Sequence, residues 1–255
     1  MEFIGIIPSR YASTRFPGKP LADICGKTMI QRVYEQASKA LSEVWVATDD
    51  QRIVDAVKAF GGNVVMTSAN HRSGTDRCAE AINIASEITG KVYDVIVNIQ
   101  GDEPFMQPKH ISLISECFKG SPETEIATLI QPILKSQDIF RSDMVKVVLD
   151  NGLNAIYFSR SPIPFVVRVD PADWLKHFSF WGHVGLYAYR NTTLQKLAKL
   201  SEGVLEKVES LEQLRWIENG FKIKTRVTDS DNFGIDTPED LEQAILEGID
   251  KYYLS

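Results

Sequence analysis

Three cations crowd the stretch GIIPSRYASTRFPGKPL (residues 5–21), where Arg10, Arg15 and Lys19 directly follow an apolar run. Two guanidinium forks and one ammonium suit an extended polyphosphate, Arg supplying bidentate geometry and Lys a point charge. Pro17 and Pro20 stiffen the loop, and Gly18 lets its backbone come close to a ligand. Spacing alone fits a solvated surface loop equally well. The loop is not a P-loop: Ser13 stands where the first glycine belongs, and Pro20 follows Lys19. No GxGxxG occurs, which counts against a dinucleotide oxidoreductase.

The acidic candidates lie elsewhere in the chain. In DVIVNIQGDEP an apolar strand breaks at Gly101 into Asp102 and Glu103. A carboxylate at a strand's carboxyl end, facing a cationic loop, is placed to hold Mg²⁺ against phosphate. A plain turn at Gly101 and Asp102, with Glu103 capping a helix near residue 108, accounts for the same residues. Asp236 precedes Thr237, Pro238 and Asp240, which together read as N-cap, first helical position and first turn. That explains the segment without any metal. In HRSGTDR (71–77), Ser73, Gly74 and Thr75 combine a small-residue turn with a helix start, able to read a pyrimidine edge or simply to cap. Arg77 reads as a structural ion-pair partner.

These residues need a frame. Short β-branched runs (FIGIIPS, VWVATD, NVVMT, VYDVIVNIQ) alternate with amphipathic helices. MIQRVYEQASKAL puts Met29, Ile30, Val33, Ala37 and Leu41 on one face. DDQRIVDAVKAFGG opens on capping carboxylates and stops at a Gly pair, and a third helix covers 75–88. This alternation predicts an α/β fold with a doubly wound, mostly parallel sheet. After about residue 125, EIATLIQPI, MVKVVLD, AIYFSR and WGHVGLYAY follow with little helix between them, which predicts antiparallel additions or a small second lobe. Residues 161–179 read as a long loop, 191–219 as helical, FKIKTRVT as a last strand and TPEDLEQAILEGI as a closing helix. His110 reads as surface, Trp181 and Trp216 as core. One domain over 1–255 is expected, with ligands at the carboxyl ends of the strands.

RYASTRFPGKPL followed by GKTMI resembles the signature loop of nucleotide-sugar cytidylyltransferases, and most closely the 3-deoxy-manno-octulosonate (KDO) cytidylyltransferase family. GGNVVMTSANHRSGTDR, VNIQGDEP, VKVVLD, YFSR, HVGLY, LEQLRW and DTPEDLE recur in that family's order, so the resemblance runs nearly end to end. It implies a nucleotide-diphospho-sugar transferase-like, mixed sheet with a small antiparallel sugar-binding extension. Residues 1–125 would mainly bind CTP and 126–255 mainly the sugar acid. It also implies transfer of CMP from CTP to KDO, with release of pyrophosphate, for lipopolysaccharide biosynthesis. Arg10, Arg15 and Lys19 would hold the β and γ phosphates, and Asp102 and Asp236 the Mg²⁺. Residues 71–77, with Ser73, Gly74 and Thr75, fall to the cytosine and ribose pocket, and Gln100 lies close to both substrates. Arg160, His183, Tyr187, Glu212 and Gln213 line the sugar-acid pocket by the same resemblance, and a homodimer is implied. Each has a plainer reading: a strand-end charge for Arg160, a satisfied core histidine for His183, an amphipathic helix for LEQLRW.

A net charge of −6 argues against a nucleic-acid or anionic-membrane partner, so any basic site is local. The three cysteines show no CxxC or Cys/His spacing, and an odd count fits reduced thiols in a cytoplasmic compartment. Met1 leads into an acidic residue and a short strand, not a basic and then apolar leader. Two rivals remain: a cytidylyltransferase for another sugar acid (the 8-amino analogue or a sialic acid), and a non-catalytic CTP sensor.

Overall fold

The computed structural model describes residues 1–12, 16–229 and 234–249. Its first apolar run is β1 (Phe3–Ser9). The following loop turns at Gly18 (φ +72°) into a 3-10 turn over Lys19–Leu21. A small ribbon, β2 (Asp23–Ile24) and β3 (Lys27–Thr28), leads to α1 (Met29–Ser38), whose N-cap Thr28 accepts from the Gln31 amide. The predicted stripe Met29, Ile30, Val33 and Ala37 is buried. Next come β4 (Val44–Thr48), α2 (Gln51–Ala59, capped by Asp50), β5 (Asn63–Met66), α3 (Gly74–Thr89), β6 (Val95–Asn98) and α4 (Pro108–Glu116). The second part contributes β7 (Ile126–Pro132), α5 (Ser136–Ile139), β8 (Lys146–Leu149), β9 (Ala155–Ser159), α6 (Trp174–His177) and β10 (Trp181–Arg190). It closes with α7 (Asn191–Leu197), α8 (Val204–Glu209), α9 (Gln213–Glu218), β11 (Ile223–Val227) and α10 (Pro238–Leu246).

Among the described residues, the main sheet has nine strands, running β11-β7-β10-β6-β1-β4-β5 with β8 and β9 attached to β10. β1, β4, β5 and β6 are mutually parallel, as are β7 and β11. β10 is antiparallel to both β6 and β7. The later strands are therefore more than an addition at one edge. β10 sits inside the sheet and joins the two halves, while β8 and β9 form the antiparallel extension. Residues 191–219 form three short helices rather than one run, and Ser210, left-handed after α8 (φ +52°), separates α8 from α9. The loop over 161–179 is interrupted by α6, which is anchored by buried Trp174 stacked on Phe180 at 5.8 Å.

Alternation along the strands separates two apolar layers. Ile4, Ile6, Trp45, Ile96, Tyr187 and Tyr189 face α3 and α7–α9, while Ile7, Val46, Val97, Val184 and Leu186 face α1, α2 and α4. Trp216 is core as expected, and Trp181 is partly buried against the same layer. His110 overturns its surface assignment. It is fully buried in α4 beside Ile111 and Ile114, completing an i, i+1, i+4 stripe that packs toward the sheet. Arg77 is also fully buried, its Nη2 on Asp49 at 2.8 Å and its Nη1 on Thr67 at 2.6 Å, which makes it structural.

Candidate active site

The cationic loop and both acidic candidates meet at one ammonium. Lys19 Nζ donates to Asp102 Oδ2 at 2.7 Å and to the Ile235 carbonyl at 3.0 Å, and lies 3.6 Å from Asp236 Oδ1. Local backbone explains the convergence. At Gly101 a Cβ would fall 2.8 Å from Ser9 Oγ and 3.1 Å from the Pro8 carbonyl, so glycine lets the ends of β1 and β6 approach. The Ile235 amide donates to the Asp102 carbonyl at 2.9 Å, and the Ile235 side chain is buried with Ile24, Met29, Phe105 and Ala244. Asp236 thus stands just before α10, whose start is the predicted box: Thr237 caps, Pro238 is first, and Asp240 accepts from the Asp236 and Thr237 amides. Glu103 is buried near Gly185 rather than capping α4, whose N-cap is Gln107.

The loop is braced from its sides. Gly18 packs against the Tyr11 ring, where a Cβ would meet ring atoms at 3.1 Å, and the Arg52 guanidinium covers that ring at 3.3 Å. Arg10 Nη2 donates to the His71 carbonyl, and His71 Nε2 pairs with Glu80, tying the loop to the turn before α3. Arg15 lies outside the described residues. Ser73 caps α3 by accepting from the Asp76 amide, and Gly74 packs on Pro8 at the end of β1.

The sugar-pocket candidates form a different environment. Thr75 Oγ1 donates to Glu212 Oε2 at 3.1 Å. Tyr187 lies 5.3 Å from His183 and 5.0 Å from Trp216, centroid to centroid. Asn98 donates to the Tyr189 hydroxyl and accepts from Gln100 Nε2, both at 3.5 Å. Burial raises the Glu212 carboxyl above its usual range, partly offset by its hydroxyl donors, and drives the Tyr187 phenol well above its own. Burial pushes His183 down to about 3, so its ring is neutral. Ser9 Oγ, Glu212 Oε1 and Gln213 Nε2 are buried without a hydrogen-bond partner, and Tyr187 OH makes only a loose contact with Thr128. Each such orphan costs about 1–3 kcal/mol, and Tyr187 and Glu212, close enough to interact, suit a polar ligand. Arg160 braces the wall: its guanidinium donates to the carbonyls of Glu209, Ser142 and Ser210, leaving two N–H groups.

Sequence reasoning missed Ser9, Asn98, Thr128 and Tyr189. The available signal was a polar side chain inside an apolar strand run, as in VIVNI and IATLI. A cavity of about 630 Å³ shares Ser73 and Glu212 with this cluster, but none of Lys19, Asp102, His183 or Tyr187 lines it. The convergence on Lys19, not that volume, locates the site.

The cytidylyltransferase family profile matches residues 4–223. The chain is 56% identical over 249 residues to a 3-deoxy-manno-octulosonate cytidylyltransferase of Parabacteroides distasonis, covering 96% of this chain and 97% of that protein. It is 55% identical over 247 residues to one from Bacteroides thetaiotaomicron, covering 96% and 97%. A solved CMP:2-keto-3-deoxy-manno-octonic acid synthetase in complex with CTP superposes with a TM-score of 0.89 at 39% identity, covering 98% of this chain and 100% of that one.

Proposed function

The chain belongs to the 3-deoxy-manno-octulosonate cytidylyltransferase family, and we propose that it transfers CMP from CTP to KDO, releasing pyrophosphate, in a step that feeds lipopolysaccharide biosynthesis. The observation that carries this reading is the Lys19 ammonium held between Asp102 and Asp236 at the head of the cationic loop.

Two carboxylates from separate segments already converge on a cation, and a hard divalent ion takes the same oxygen donors. Asp102 and Asp236 would hold Mg²⁺. When bound, it neutralises phosphate charge and lowers the pKa of the attacking sugar hydroxyl. The protein's own groups do the rest. Arg10, Arg15 and Lys19 hold the β and γ phosphates and stabilise the charge that leaves with pyrophosphate. Ser73, Gly74 and Thr75, at the positive end of α3, hold the nucleotide with Gln100. His183, Tyr187, Glu212, Gln213 and Arg160 align the sugar acid so that its anomeric hydroxyl meets the α-phosphorus in line. The same resemblance supports a homodimer, and three cysteines with no disulfide or metal spacing support a reducing, cytoplasmic compartment. Among the described residues no helix is long and apolar enough to cross a membrane.

The test is pyrophosphate release with CTP and Mg²⁺, offering KDO, its 8-amino analogue, a sialic acid, or no acceptor. Release with KDO is the expected result. Preference for another acid moves the substrate assignment. CTP binding without release in any arm moves the protein to the sensor class.

A further inference from the structure

Thr128, fully buried on β7, shares a sheet face with His183 and Tyr187. Its Oγ1 lies 2.8 Å from the Leu186 carbonyl, 3.2 Å from the Val184 carbonyl and 3.0 Å from His183 Nε2. The two carbonyls flank the register shift in β10 between Val184 and Tyr187. A carbonyl only accepts, and a hydroxyl has one proton to give. That proton goes to the carbonyls, nearest of them Leu186. The contact with His183 is then a hydrogen bond only if Nε2 is the donor.

We propose that Thr128 is a positioning residue of the sugar site: it sets His183 in the Nε2–H tautomer and so makes Nδ1 an acceptor for a sugar hydroxyl. This rests on the sugar-site reading above and adds a residue and a polarity to it. Phe158 holds the ring from one side, edge-on at 5.1 Å, and Tyr187 from the other. The ring stays uncharged at neutral pH, so Nδ1 does not turn into a donor. An acceptor nitrogen cannot serve the acid group of the substrate. His183 therefore reads a hydroxyl, and the carboxylate is met by donors elsewhere, such as the two remaining Arg160 N–H groups.

The full chain, ligand-free and ¹⁵N-labelled in its imidazoles, gives the first measurement: a long-range ¹H–¹⁵N spectrum with the His183 signals assigned by their loss in His183→Asn. A proton on Nε2 supports the proposal. A proton on Nδ1, or an even mixture, overturns it whatever the variants do. In Thr128→Val the tautomers should mix and the KM for the sugar acid rise about 10-fold, with the KM for CTP unchanged, as loss of one oriented hydrogen bond predicts. Thr128→Ser should restore both. A Thr128→Val protein that is folded and keeps the wild-type sugar KM also overturns it. Should Thr128→Val not fold, the wild-type spectrum and the Thr128→Ser kinetics still decide. Failure of the functional reading would appear separately, as no turnover of the sugar acid by wild type.

Discussion

The two ends of the proposed site solve opposite problems. At the phosphate end, Arg10, Lys19, Asp102 and Asp236 are charged, stand on loops, and already engage protein partners: Asp102 and Asp236 share Lys19, and Arg10 holds the His71 carbonyl. At the sugar end, His183 and Tyr187 are uncharged, Glu212 has a raised pKa, and all ride on strands or helices, several with polar atoms that nothing in the protein satisfies. A charged ligand is met by exchanging one ion pair for another, which keeps the empty site solvated and paired. A polyhydroxylated ligand is met by neutral groups that wait in fixed directions. Binding at the first end is a substitution, and at the second a completion.

The strongest break of this contrast is Asp102→Asn. If the carboxylate holds the ion rather than merely neutralising Lys19, turnover should fall by about 10²–10³ or more, as for loss of one preorganised charge contact. CTP affinity by calorimetry should change little. Turnover like wild type would remove Asp102 from the metal site. Lys19→Ala comes next. Loss of a charge-assisted hydrogen bond should weaken CTP binding about 10- to 100-fold. Without nucleotide, the freed carboxylates should bind a divalent cation more tightly than in wild type. An unchanged metal titration would mean that Lys19 does not stand in for the ion.

Legibility in the sequence followed the same divide. The phosphate end was readable only in part. The residues singled out a cationic loop and two carboxylates but left each an equally good plain reading. Their phosphate and metal roles came from the family resemblance, though Lys19, Asp102 and Asp236 do meet. What the residues did not carry was the meeting itself, which depends on the Ile235 amide binding the Asp102 carbonyl and on glycine at 101. The parallel half of the fold was clear from strand and helix alternation. The placement of β10 was not, since periodicity gives faces and not neighbours. At the sugar end, His183 and Tyr187 came only from the family resemblance, because inside an apolar strand an aromatic or a histidine reads as core. Thr128 and Asn98 escaped for the same reason. His110 was misread because its place at a helix start suggested exposure, whereas its spacing to Ile111 and Ile114 puts it on the buried face.

Tyr187→Phe sharpens the sugar end at a smaller scale. Removing a buried hydroxyl whose contact with Thr128 falls short of a well-formed hydrogen bond should change Tm little, while the KM for the sugar acid rises about 10-fold. A drop in Tm with unchanged KM would make the hydroxyl structural, and the idea of completion would fail there.

The smallest effect tests whether every orphaned polar atom means ligand. Both ring nitrogens of His110 lack partners, yet α4 lies on the opposite face of the sheet from Tyr187 and Glu212. Burial lowers its pKa below the ordinary value near 6.5, with Lys109 adding to the shift and Asp229 opposing it. The unfolded chain therefore takes up a proton that the folded one refuses. Stability from this group is intact above about pH 6.5 and is lost as pH falls below it, at no more than about 1.4 kcal/mol per pH unit. His110→Phe should flatten the unfolding profile below pH 6.5 and leave both KM values and kcat alone. The remaining slope belongs to groups such as His183, whose pKa is lowered to about 3. An unchanged slope would show that His110 finds a proton partner in solution. Altered kinetics would mean that orphans on both faces serve the ligand, and burial without a partner would then no longer separate the site from its scaffold.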